Sequence, residues 1–161
     1  MTSRHAQPLA LAAVALAAAL SADVAPHPAH AAMDAVAASM DADGNGAVAP
    51  AEHRDFTLAA FASMDHDGDG AVDEAEFLDW DMGFAPLAAE IGRDEAYAAI
   101  KARLFAVWDA DGDGANAPAE AHDQAGLEFA QADADRDGRV GAPDLARGSE
   151  TLGTLMAAAS A

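Results

Sequence analysis

DADGNGAVAPAE (residues 41–52), DHDGDGAVDEAE (65–76), DADGDGANAPAE (109–120) and DADRDGRVGAPD (133–144) are four versions of one acidic twelve-residue loop. Each carries oxygen-bearing side chains at places 1, 3 and 5, a glycine at place 6 and an acid at place 12. The spacing has a chemical reason. A hard divalent cation takes six to eight oxygens at about 2.3–2.6 Å, and places 1, 3, 5, 7, 9 and 12 of such a loop point at one centre. Place 6 turns sharply, and Gly46, Gly70, Gly114 and Gly138 enter positive φ there without a steric penalty.

The four ligand sets differ. The first offers Asp41, Asp43, Asn45 and Glu52, with the Ala47 carbonyl at place 7. The second is the richest: Asp65, Asp67, Asp69 and Glu76 are joined by Asp73 at place 9, with the Ala71 carbonyl. The third has Asp109, Asp111, Asp113 and Glu120 with the Ala115 carbonyl, and Ala117 leaves place 9 to water. At its place 8, Asn116 stands where an apolar side chain normally packs against a partner loop. The fourth has Asp133, Asp135, Asp137 and the Arg139 carbonyl, and it ends in Asp144, one methylene shorter than Glu, with Arg136 and Arg139 nearby. It is expected to bind calcium most weakly and to admit magnesium, which prefers six oxygens at shorter distances. The second is expected to bind most tightly.

The steps between loops set the architecture. From Asp41 to Asp65, and again from Asp109 to Asp133, the step is 24 residues, so twelve residues separate one loop from the next. Twelve residues cannot hold an exiting helix, a linker and an entering helix. HRDFTLAAFASM (53–64) contains neither proline nor glycine and is predicted to be one shared helix of about 18 Å. AHDQAGLEFAQA (121–132) repeats it, with Gly126 as a candidate kink. Loops at opposite ends of a shared helix cannot pair with each other. The predicted closure is antiparallel: loop 2 meets loop 3, with Val72 opposite Asn116, and loop 1 meets loop 4, with Val48 opposite Val140. The fold class is therefore all-α, four helix-loop-helix motifs with short shared helices between loops 1/2 and 3/4, hands 1–2 over about 33–83 and hands 3–4 over about 94–150.

Between the pairs, residues 77–108 have room for a helical hairpin: an exiting helix through Trp80 and Met82, a break near Gly83 to Pro86, a short stretch to Ile91 and a long entering helix from about Asp94. Phe61, Met64, Phe105, Trp108 and Phe129 fall at helical spacing just before the loops and read as core. Pro50 and Pro118 suit a first helical turn, and Asp73 can cap its helix. After Asp144, Gly148 and Gly153 predict a frayed end.

Ahead of the loops, Arg4, the apolar run LALAAVALAAAL (9–20) and Ala29-His30-Ala31 read as a secretory signal peptide over residues 1–31. Twelve apolar residues span about 18 Å of helix, short of the roughly 30 Å of hydrocarbon a membrane anchor must cross. Residues 32–161 then form the metal-binding domain, periplasmic or secreted, with a net charge of −20 that removal of Arg4 and Asp23 leaves unchanged. The absence of cysteine excludes disulfides and a lipid-modified bacterial N-terminus. With 8 basic against 28 acidic residues, nucleic acid and anionic membrane surfaces are excluded as partners. His53, His66 and His122 form no HExxH pattern and read as solvent-facing. No nucleophile elbow, phosphate loop or cysteine nucleophile is present, so a binding protein rather than an enzyme is expected, most simply a monomer.

These loops resemble those of the EF-hand calcium-binding proteins over about residues 33–150. That resemblance implies an all-helical fold and up to four calcium ions on the residues named. The twelve-residue spacing in an exported, acidic, four-loop chain is also similar to the lanmodulin type, which implies lanthanide binding as an alternative. Lanmodulin-type loops favour proline at place 2, where this chain has Ala42, His66, Ala110 and Ala134. Two downstream roles follow from calcium binding. A buffer gains order alone; a sensor opens an apolar groove, around Met40, Met64, Trp80 and Met82, to an unidentified protein target.

Overall fold

The shared helices form as their composition requires. In a computed structural model describing residues 27–160, α1 (Pro28–Met40) leads into loop 1 and α2 (Pro50–Met64) runs unbroken from loop 1 to loop 2. Strand β1 (Val72–Asp73) and α3 (Glu74–Asp79) follow, then α4 (Ala85–Glu90) and α5 (Asp94–Trp108). Strand β2 (Ala115–Asn116) sits in loop 3, α6 (Pro118–Ala132) joins loops 3 and 4, and α7 (Ala142–Gly148) and α8 (Glu150–Ala158) end the described chain. Proline occupies the first turn of α2, α6 and α7, where no intrahelical N–H is lost. Helix α6 passes through Gly126 without interruption.

The loops pair across the molecule. β1 and β2 are antiparallel with Val72 opposite Asn116, and Val48 forms an isolated antiparallel bridge with Val140. In that bridge each residue's N–H donates to the other's carbonyl, at 2.8 and 3.0 Å. Strand pairs 2/3 and 1/4 thus alternate with shared helices 1/2 and 3/4, and the four loops close into a ring. α2 lies along α6, the most extensive helix pair, and buries Phe61 and Met64 on one side and Ala121, Phe129 and Ala132 on the other. Phe105 and Trp108 of α5 pack with Phe77 of α3, ring centroids 5.7 and 6.2 Å apart.

Three expectations need correction. The helical break after loop 2 begins earlier than the glycine: Trp80 is already extended, and Pro86 lies inside the first turn of α4. Asp81 organises this break, its carboxylate accepting hydrogen bonds from the Gly83 and Ala85 N–H groups and from the Tyr97 hydroxyl at 2.7, 3.1 and 2.9 Å. The C-terminal end is not frayed but core, with Leu152, Leu155 and Ala159 buried. Its glycines are there for close approach: a Cβ on Gly148 would lie 2.4 Å from the Ala132 Cα, and one on Gly153 would lie 2.7 Å from the Ala146 carbonyl oxygen. His53, finally, is buried and packs edge-on against Phe129 at 5.8 Å, because α2 turns that face toward α6; His66 and His122 are exposed.

The signal-peptide reading falls on residues outside those described, apart from its last few. There, the expected cleavage after Ala31 lies within α1, whose Ala29 is fully buried. No helix among the described residues is long and apolar enough to cross a membrane.

Candidate metal-binding loops

A common hydrogen-bond frame builds all four loops. The place-6 glycine N–H donates to the place-1 aspartate, from Gly46, Gly70, Gly114 and Gly138 at 2.8, 3.0, 3.0 and 3.1 Å. The place-5 N–H donates to the place-3 aspartate, from Asn45, Asp69, Asp113 and Asp137 at 3.0 to 3.3 Å. The place-7 N–H of Ala47, Ala71, Ala115 and Arg139 donates back to the place-5 side chain. Each loop thereby folds its acidic side chains inward with its own amides, which offsets part of their mutual repulsion. At Asp43, Asn45 holds the carboxyl below the usual range through its side chain and its N–H, and Arg139, across the loop 1/4 bridge, adds a smaller pull.

Place 12 divides the loops. Glu52, Glu76 and Glu120 each reach back, one oxygen accepting from the N–H groups of places 2 and 3 at 2.7 to 3.3 Å and the other from the place-9 N–H at 2.8 to 3.0 Å. Asp144 is too short for this. One of its oxygens accepts from Gly141 N–H at 2.9 Å and the other from the Arg147 guanidinium at 2.7 Å. The place-2 N–H of Ala134 turns instead to the Ala132 carbonyl, and the place-4 N–H of Arg136 donates to the Asp133 carbonyl where Gly68 and Gly112 donate to the place-1 carboxylate.

The convergent carboxylates follow the same division. Oxygens of Asp41, Asp43 and Glu52 lie within 4.8 Å of one another, as do those of Asp65, Asp67 and Glu76 and those of Asp109, Asp111 and Glu120. In loop 4 the trio is Asp133, Asp135 and Asp137, without Asp144. Two oxygens bound at about 2.4 Å to one centre lie at most about 4.8 Å apart, so these sets fit a calcium-sized ion, and their all-oxygen chemistry suits a hard cation. Asp73, the fifth carboxylate read in loop 2, accepts from Glu76 N–H at 2.8 Å and so caps α3.

Place 4 sets loop 4 apart again. Gly44, Gly68 and Gly112 have φ of 70, 75 and 74°, whereas Arg136 takes φ 62° with a full side chain. The sequence singled out Arg136 for its charge; the missing fourth-place glycine was the stronger signal.

Below the loops lies a cavity of about 40 Å³. Met40, Met64, Trp80 and Met82, grouped from sequence as a candidate groove, all line it, together with His53, read from sequence as solvent-facing, and with Glu128 and Lys101, which the sequence did not single out. Burial drives the His53 pKa down to about 4. Lys101 is buried too; it donates to the carbonyls of Leu78, at 2.8 Å, and Trp80, capping α3, and burial lowers its pKa against the pull of Asp81 and Asp79. The Tyr97 hydroxyl is raised by burial and by its bond to Asp81.

The family model described as EF hand matches residues 58–79 and 128–148, the shared helix end with loop 2 and the corresponding segment with loop 4. No curated protein and no solved structure matches the chain.

Proposed function

Taking the chain as an EF-hand protein whose acidic loops support calcium binding, we propose that it binds up to four calcium ions in an exported compartment, as a buffer or a sensor. The observation that carries this is the convergence of three carboxylates in each loop within calcium-ligand range. In the first three loops the ligands are the place-1, -3 and -12 acids with the place-5 side chain and place-7 carbonyl. In loop 4 the ligands are Asp133, Asp135 and Asp137 with the Arg139 carbonyl, and magnesium competes there. Export rests on residues 1–31, and periplasm or exterior, monomeric state and freedom from membrane after processing go with it.

Lanthanide binding is the second reading. It is supported by the twelve residues between loops 1 and 2 and between loops 3 and 4. Calorimetric titration of metal-stripped protein with calcium, magnesium and lanthanum tests both. Calcium uptake in at least three steps is expected; lanthanum uptake that persists against a large calcium excess would favour the second reading, and no uptake of either would sink both. Sensor and buffer separate by dye: a sensor binds an apolar fluorescent dye on calcium loading, and a buffer does not.

A further inference from the structure

Helix α1 begins before the expected processing point and uses the residues that such a cut would remove. Pro28 occupies its first turn, His27 Nδ1 accepts from Ala29 N–H at 3.3 Å, and the His27 carbonyl accepts from His30 and Ala31 N–H at 2.8 and 3.2 Å. The helix start is thus capped, with proline where no intrahelical N–H is lost. It is also packed. Ala29 is fully buried and belongs to the core, and His30 and Met33 line one cleft with Ala142 and Ala146 of α7 and Met156 of α8. The first turns of α1 therefore help to seat both helices of the C-terminal end.

A chain cut after Ala31 keeps only residues 32–40 of this helix. It loses the His27 cap and the buried Ala29. It also sets a protonated α-amine against the positive end of the helix dipole, where a cation is unfavourable. A cut upstream of His27 avoids both losses and keeps the new amine away from the helix.

We propose that the leader is removed between Ala22 and Asp23, so that the mature chain enters α1 with its cap and first turn intact. Leu20-Ser21-Ala22 closes the apolar run with a small residue on the acyl side of the bond and an uncharged one two places earlier. The neighbouring bonds are poorer. A cut after Ala25 puts the charged Asp23 two places before the bond and Pro26, which has no N–H, just after it. A cut after Ala19 divides the apolar run itself. The step is hydrolysis by a signal peptidase: water gives its hydroxyl to the Ala22 carbonyl carbon and a proton to the departing Asp23 nitrogen. The proposal rests on the export reading and moves the processing point within it.

The experiment expresses the full chain in a bacterium with an outer membrane and reads the periplasmic product by intact mass and N-terminal sequencing. The expected first residue is Asp23. Ala22→Gln, which puts a long polar side chain beside the bond, should leave the chain at its precursor mass. Ala31→Gln, at an exposed site of α1, should not change where the chain is cut. Melting in chelator reads the structural reason: a chain starting at Asp23 should melt about 5 °C above one starting at Ala32. A first residue of Ala32 or any other than Asp23, processing that survives Ala22→Gln, or equal melting of the two chains would each overturn the proposal while leaving export intact. A chain that stays unprocessed in the cytoplasm would overturn the export reading itself.

Discussion

The first half of the molecule, α1 to α4, and the second, α5 to α8, run the same elements at an offset of 68 residues, the step from Asp41 to Asp109, yet they use equivalent positions differently. Glu76 answers to Asp144, Gly68 to Arg136, Val48 to Asn116, His53 to Ala121 and Ala60 to Glu128. The first swap shortens an acid, and each of the other four puts a strained or polar group in one half only. The first half has both of its loops closed by glutamate, and its buried titratable group is an imidazole in α2. The second has one open loop, an unpartnered amide in its strand and a buried carboxylate tying down its last helix. A duplicated scaffold tolerates this because the two strand bridges and two shared helices hold the ring whichever half carries the departure.

The largest test of that asymmetry concerns His53. Its folded pKa, about 4, lies below the unfolded value of about 6.5, so between these pH values the unfolded chain binds the extra proton. Stability from this group is complete above pH 6.5 and is lost as pH falls toward 4, by about 3 kcal/mol in all. Urea unfolding in chelator should show that added slope in the native chain and not in His53→Phe, whose ring can keep the Phe129 contact. Equal slopes in the two would remove the imidazole from the comparison.

Next comes place 12. Glu76→Gln removes a carboxylate that accepts from three backbone N–H groups and belongs to the convergent trio of loop 2, and should weaken the tightest calcium step by about 30-fold, corresponding to about 2 kcal/mol. Asp144→Asn should change overall uptake by less than about threefold, since its carboxylate stands outside the convergent trio. If the two substitutions weaken calcium equally, loop 4 is not the odd loop.

Asn116 offers a gain. Both polar atoms of its side chain are buried without a partner, where Val48 occupies the equivalent bridge position. An unsatisfied buried amide costs about 1–3 kcal/mol, so Asn116→Val should raise the melting temperature and tighten loop 3. Val48→Asn should do the reverse at loop 1, and the two variants together test whether the bridges are interchangeable. The smallest effect belongs to Arg136, whose left-handed backbone should be relieved by glycine for a gain of about 1 kcal/mol in chelator melts. No gain there would mean that Arg136 makes up its strain by a contact of its own.

The site was legible in the sequence because its chemistry is local. Twelve contiguous residues supply the convergent acids, the turn and the capping, so places 1 to 12 could be read one by one. The pairing of Val72 with Asn116 and Val48 with Val140 was legible for a related reason: a helix has a fixed rise per residue, and twelve residues between loops hold them too far apart to pair. Asp73 was ambiguous, since ligand and helix cap draw on the same carboxylate, and the fold uses it as the cap.

What the chain alone determined, then, is the four acidic loops, the short acid that sets the fourth apart and the ring they close. Only the tertiary structure decided which polar residues are interior. His53 and Glu128 lie on helices whose patterns leave either face free to be buried, and it is the packing of α2 on α6, and of α8 on α6, that encloses them. Gly148 and Gly153 read as breaks for want of a side chain, yet the space they leave is filled by the backbone of Ala132 and Ala146, segments that reach them only after folding. Local chemistry repeats along a sequence and can be counted there, whereas burial depends on the neighbour that arrives.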